Sequence, residues 1–151
     1  MLVQDASFLV TVPFWCPLVP YLTRNPVILF FDDSFRKPTP FEPDVVVSID
    51  SVIDQRVAAL LVIESQFIEG GCGGTVPKDA AEREARRQAR RESFRKAYAA
   101  KADRFRGKLI ELYGEEEGKK VSYAEAFELC EYGRQPTPDE LRTLFPLTRK
   151  Q

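Results

Sequence analysis

Two adjacent carboxylates, Asp32 and Asp33, directly follow an apolar run, Pro26-Val27-Ile28-Leu29-Phe30-Phe31. In α/β proteins, groups just past the carboxyl end of a strand are placed to line a ligand site. Asp32 and Asp33 are therefore the substrate-cleft candidates. Asp50 and Asp54 form a second pair, and capping accounts for them. Asp50 or Ser51 heads a helix, Ser51-x-x-Asp54 approximates a capping box, and carboxylates suit a helix start.

Nucleophilic chemistry finds little support. The chain contains no histidine, so Ser65, Cys16, Cys72 and Cys130 lack the usual general base. Ser34-x-x-Lys37 and Ser93-x-x-Lys96 fit the Ser-x-x-Lys pattern, but its Ser-Asp-Asn and Lys-Thr-Gly partners are missing. Gly70-Gly71-Cys72-Gly73-Gly74 follows a helical pattern and lacks a Gly-Lys-Ser/Thr ending, so it reads as a flexible connector and not a phosphate loop. Phe14 and Trp15 are expected to pack into the core of their own loop. No residue is assigned as catalytic and none as a metal ligand.

From Glu82 to Lys108, eleven basic residues face four acidic ones. Such a stretch can contact phosphates. It can equally pair with Glu115, Glu116, Glu117, Glu125, Glu128 and Glu131, or be solvated. Its aromatic residues form one core-facing stripe and are not interleaved for base stacking, which argues against nucleic acid. The whole chain carries a net charge of −1, so no overall field draws it to polyanions. Three widely spaced cysteines without a Cys-x-x-Cys point to reduced thiols and a cytoplasmic setting. No secretory leader is evident, and the apolar runs fall short of the roughly 20 residues that span a bilayer.

These groups must be positioned by an α/β scaffold. Residues 1–12 read as a helix without its start, with Leu2, Ala6, Leu9 and Val10 near one face. Residues 13–25 form a proline-rich loop. Residues 26–31 read as a buried parallel strand and Val45–Ile49 as the next strand. A helix follows to Gly70-Gly71, with Ile53, Val57, Leu60 and Leu61 on one stripe. Residues 79–113 read as one long charged helix whose inner face carries Phe94, Tyr98, Phe105, Leu109 and Leu112, ended by Gly114. Ser122-x-x-Glu125 is expected to cap a short helix turning Tyr123, Phe127 and Cys130 inward. Thr137-Pro138-Asp139-Glu140 opens a last helix presenting Leu141, Leu144 and Phe145. The expected organisation is a partial Rossmann-like α/β segment (1–70), a glycine-rich linker (71–78) and a charged helical extension (79–151). Two core strands make only part of a three-layer domain.

The stretch from Pro43 to Phe67 (PDVVVSIDSVIDQRVAALLVIESQF) resembles the late strand-and-helix segment of the PIG-L/LmbE family of zinc-dependent N-deacetylases. Gln4-Asp5-Ala6 with Val12-Pro13, Arg24-Asn25-Pro26-Val27, Phe41-x-Pro43-Asp44, Ile49-Asp50-x-x-Ile53-Asp54 and Glu64-Ser65-Gln66-Phe67 extend the likeness. So do Ala124-Glu125-Ala126-Phe127-Glu128, Cys130-Glu131-Tyr132-Gly133 and Leu144-Phe145-Pro146. The resemblance implies a C-terminal portion of a Rossmann-like deacetylase fold. Complete relatives hydrolyse N-acetyl groups of sugar-like substrates with zinc held by two histidines and an aspartate. Those histidine motifs would precede Met1, so no cofactor is assigned to this chain and no activity is expected of it alone. Ile63 stands where the family often has histidine. The implied partner is a missing N-terminal half or a further copy of the chain, with neither membrane nor nucleic acid. The alternatives are a standalone interaction module built on the basic helix 82–108, and one half of a split deacetylase.

Overall fold

The computed structural model describes residues 2–37 and 39–147. Its elements, in order, are α1 (Leu2–Leu9), β1 (Leu29–Phe31), β2 (Val45–Ser48), α2 (Ile53–Leu61), α3 (Glu64–Phe67), α4 (Ala80–Arg104), α5 (Arg106–Tyr113), α6 (Glu115–Lys120), β3 (Ala124–Leu129) and α7 (Pro138–Leu144). The chain divides into two compact units. One combines residues up to Val47 with those from Ala126 onward, and the other is Ser48–Glu125.

The protein is mixed α/β, with one three-stranded sheet in the order β1-β3-β2. β1 pairs antiparallel with β3, setting Leu29 opposite Leu129, Phe30 opposite Glu128 and Phe31 opposite Phe127. The Cys130 N–H donates to the Ile28 carbonyl at 2.9 Å, which continues the same register. Asp44 N–H donates to Phe127 O, and five residues later Ile49 N–H donates to Tyr123 O, so β2 also runs antiparallel to β3.

This sheet corrects two expectations. The run 26–31 is neither parallel nor buried: β1 is a three-residue edge strand, with Phe30 42% and Phe31 63% exposed. An unbroken apolar run reports hydrophobicity without reporting which faces are covered. The segment after Ser122 is a strand, not a helix. Alanine, glutamate and leucine favour helices, but Ala-Glu-Ala-Phe-Glu-Leu also alternates with period two. Placed centrally, β3 fills both its hydrogen-bonding edges and brings Ala124 and Ala126 to 0% exposure, which outweighs propensity. Cys130 is buried as expected.

The first unit also holds α1, which buries Ser7 instead of its apolar stripe: Leu2 is 87% exposed. Ser7 Oγ donates to the Gln4 carbonyl at 2.6 Å, so its burial is hydrogen-bonded. Phe31, Phe127 and Phe145 form an aromatic file with centroid spacings of 5.1 and 5.7 Å. α7 begins with the full capping box foreseen at Thr137: its hydroxyl accepts from Glu140 N–H, and the Glu140 carboxylate accepts from Thr137 N–H.

The second unit is built on Ile49, Ile53, Val57, Leu61, Ile68 and Tyr98, with Leu60, Phe94 and Tyr123 packed against them. The inner stripe foreseen for α2 holds, but its cap does not. Val52 occupies the N-cap without a side-chain bond, because Asp50 is used elsewhere. Its carboxylate accepts the N–H groups of Ser122 and Tyr123, which carries the chain into β3. The helix breaks at Val62–Ile63 before α3 resumes. The long charged helix breaks likewise at Phe105. Phe105 and Leu109 still turn inward, while Arg106 donates to the carbonyls of Gly118 and Val121 at 2.8 and 2.7 Å and caps α6.

Gly114 joins α5 to α6 with φ +90°, a backbone state that costs glycine little. Tyr113 accepts the Ser48 N–H on its hydroxyl at 3.0 Å, and burial pushes its phenol above the ordinary range, so it stays protonated at neutral pH.

The carboxyls of Glu82 and Glu140 are both held below the ordinary glutamate range. The main cause is a main-chain N–H, from Lys78 and Thr137 respectively, with Arg86 and Arg134 adding to it against some desolvation. A depressed carboxyl contributes stability that is complete above the unfolded-state value near 4.5 and is lost as pH falls through the lower folded value. The first turns of α4 and α7 are therefore expected to fray in acid, below pH 4.5. Amide exchange across pH 3–6 checks this on the order of one pH unit either side of the transition. Glu140→Gln should flatten the response at α7 alone.

Candidate ligand-binding cleft

A cleft of about 1000 Å3 opens within the first unit. β1 lends it Phe30 and Phe31, and β3 lends Glu128 and Leu129. Asp33, Phe35 and Lys37 come from the segment after β1, and Phe41, Glu42 and Asp44 from the segment leading into β2. Glu131 and Tyr132 follow β3. The antiparallel pairing of β1 with β3 is what brings segments a hundred residues apart in the chain to one wall.

Five carboxylates line this cleft against one ammonium, Lys37, and none of the five is ion-paired with a described residue. Three are held in place by the main chain. Asp33 Oδ1 accepts from Phe35 N–H at 2.9 Å, an Asx turn. Asp44 Oδ2 accepts from Leu129 N–H at 2.7 Å, and Glu128 Oε2 accepts from Glu42 N–H at 3.3 Å. Each bond fixes a rotamer and leaves the second oxygen of the carboxylate free of described donors. Among the described residues, no three histidine, cysteine or acidic side chains converge to hold a metal ion.

Of the two foreseen cleft residues, Asp33 lies on the wall and Asp32, half-buried beside it, does not. Glu42, Asp44, Glu128 and Glu131 went unrecognised in the sequence. The alternation around Glu128 was the available signal, masked by the helical reading of that segment. Ser34, Ser65 and Ser93 are all solvent-exposed. Phe14 and Trp15 are 88% and 62% exposed, contrary to the expected loop core. Within their loop the main chain is tied by Leu22 N–H to Val10 O at 2.8 Å and Val19 N–H to Cys16 O at 2.9 Å.

Much of the basic face of α4 is spent inside the second unit. Arg83 and Arg87 both clasp Glu64. Arg86 bonds Glu82 and the carbonyls of Ile68 and Thr75, and Arg90 bonds the Phe67 carbonyl at 2.8 Å. Arg95 pairs with Asp54 and reaches the Tyr123 hydroxyl. These arginines hold α3 and the glycine-rich connector to α4 by occupying carbonyls that no helix partner satisfies. Glu115 and Glu117 pair with Lys119 and Lys120, and Glu125 with Arg56.

Together these features define an α/β protein with an acidic, aromatic-walled cleft. No protein-family model, no curated protein and no solved structure matches the chain. Among the described residues no helix is long and apolar enough to cross a membrane.

Proposed function

We propose that the chain is of PIG-L/LmbE-like deacetylase lineage and corresponds to the late strand-helix segment and tail of those enzymes. The observation that carries this reading is the stretch Pro43–Phe67, whose residues resemble that segment and which folds as β2 leading into α2 and α3. On this reading β2 with α2 is one strand–helix unit of a Rossmann-like layer. With no histidine, the chain does not supply the family's zinc ligands. Its contribution is scaffold and cleft wall, and the complete enzyme's hydrolysis of an N-acetyl group requires a metal-bearing half from another segment or a second polypeptide. The arginine contacts within the second unit favour this over a module reading nucleic acid with the basic helix.

Two measurements test it. Calorimetric titration of zinc into the purified chain is expected to show no tight stoichiometric site, and the chain alone is expected to turn over no N-acetyl sugar; either activity overturns the division of labour. In a chimera, Pro43–Phe67 replaces the corresponding strand and helix of an active PIG-L/LmbE enzyme. It should stay folded and retain at least about a tenth of the parent's rate, a loss of no more than ~1.4 kcal/mol in transition-state terms. An unfolded or inactive chimera counts the lineage out.

A further inference from the structure

The outer edge of the sheet is a surface that neither the cleft nor the deacetylase reading uses. β1 stands at the end of the order β1-β3-β2, so only one of its edges is paired. The Ile28 carbonyl accepts from Cys130 N–H and the Pro26 carbonyl from Arg134 N–H, so these residues, and Phe30 in the same alternation, turn their main-chain groups toward β3. The N–H and C=O groups of Val27, Leu29 and Phe31 therefore turn the other way, and no described residue meets them. Sheet edges are ordinarily guarded by a lysine, a proline or a bulge. The five residues Val27-Ile28-Leu29-Phe30-Phe31 include neither lysine nor proline, and Phe30 and Phe31 are solvent-exposed. Pro26 and Asp32 bound the run and confine any pairing to it.

What fits such an edge is another strand, and this edge is complementary to itself. In an antiparallel pair with Leu29 opposite the partner's Leu29, Val27 faces the partner's Phe31 and Ile28 the partner's Phe30, so every apolar residue meets another. The neighbouring registers set Asp32 against the partner's Ile28, or Pro26 against the partner's Phe30. The charges agree with the same register. Arg24 precedes the run and Asp32-Asp33 follow it, so antiparallel pairing brings Arg24 beside the partner's Asp32 and Asp33 at both ends, whereas parallel pairing sets like charges together. Arg24 can swing to that contact: its side chain is 68% exposed, and Glu140, its present partner at 3.2 Å, also accepts two bonds from Arg134. A net charge of −1 puts no strong long-range repulsion between copies. We propose that the chain forms an antiparallel two-fold dimer through the outer edge of β1, joining two three-stranded sheets into one. Each copy spends its β1 edge in the pair, so the pairing closes at two copies. Nothing in this pairing draws on the deacetylase lineage.

Sedimentation velocity on the full chain, in reductant because Cys16 and Cys72 are exposed, should show a reversible monomer–dimer equilibrium. So short an interface gives a Kd on the order of 10 µM. Amide exchange locates the surface: the N–H protons of Val27, Leu29 and Phe31 should exchange about fivefold more slowly at ten times the Kd than in the dilute chain, by mass action. Leu29→Pro removes one outward N–H and no bond to β3, a change an edge strand tolerates, and should weaken the dimer at least about tenfold. Arg24→Glu should weaken it about fivefold, the order expected for two exposed charge pairs. Val62→Lys, at an exposed apolar position of the second unit, should leave it unchanged. A denaturation curve on each variant confirms the fold. A dimer that Leu29→Pro and Arg24→Glu leave intact, or exchange at Leu29 that ignores concentration, would overturn the proposal. A chain monomeric up to about 0.5 mM would overturn it too, and edge amides then protected only by an added extended peptide would make β1 a peptide-docking edge.

Discussion

Gly118→Ala is expected to destabilise the protein by about 2 kcal/mol, although alanine is the better helix former by about 1 kcal/mol. Gly118 lies in the middle of α6 and is buried. A Cβ there would stand 2.6 Å from Ile110 Cα and 2.7 Å from both Ile110 N and Leu109 O. Those are main-chain atoms of α5 and cannot rotate aside, so one helix must move off the other. Leu109, fully buried on the same element, would move with it. Gly107 provides the comparison. It sits in α5 itself, and a Cβ there meets nothing within 4 Å. Gly107→Ala should therefore stabilise by up to about 1 kcal/mol, through helix propensity and a less flexible unfolded chain. Urea unfolding of the two variants against the parent reads both signs. Equal signs would mean that α5 and α6 do not approach as described.

Ala126→Asp carries the largest expected effect, a loss of about 3–5 kcal/mol, which is enough to unfold many domains of this size. Ala126 is 0% exposed in the central strand, with neighbours on both sides. A carboxylate there would be desolvated without a cation to meet it, and its strand cannot slide by one residue without turning Phe127 and Glu125 to the wrong faces. Soluble yield and chemical denaturation of the variant measure the loss. A fully folded, unperturbed Ala126→Asp protein would remove β3 from the centre of the sheet.

The two substitutions mark the line between what was legible in the residues and what was not. Local signals were readable. The Thr137 capping box, the stop at Gly114, and the inner stripes Ile53-Val57-Leu61 and Tyr98-Phe105-Leu109 all rest on interactions within about two helical turns, and they appear where the residues indicate. The α/β class was legible for the same reason. Asp33, on the cleft wall, comes one residue after the pair's first member, Asp32, which itself follows the apolar run.

The remainder depended on partners far away in the chain. Nothing near Ala124-Glu125-Ala126 says that strands will flank it on both sides, so helix propensity overrode the period-two alternation and pointed the wrong way. Asp50 caps no helix because Ser122 and Tyr123, more than seventy residues on, offer their N–H groups to it. The cleft depends on the same fact. Its carboxylates come from four separate segments, and only the pairing of β1, β3 and β2 gathers them. By itself, the order of residues determined the inner stripes of α2 and of α4 with α5, the Thr137 cap and the stop at Gly114, and that the chain holds no imidazole. Tertiary pairing decided strand direction, strand identity and the site. The physical reason is that a strand's main-chain bonds are all made to other segments, whereas a helix makes its own.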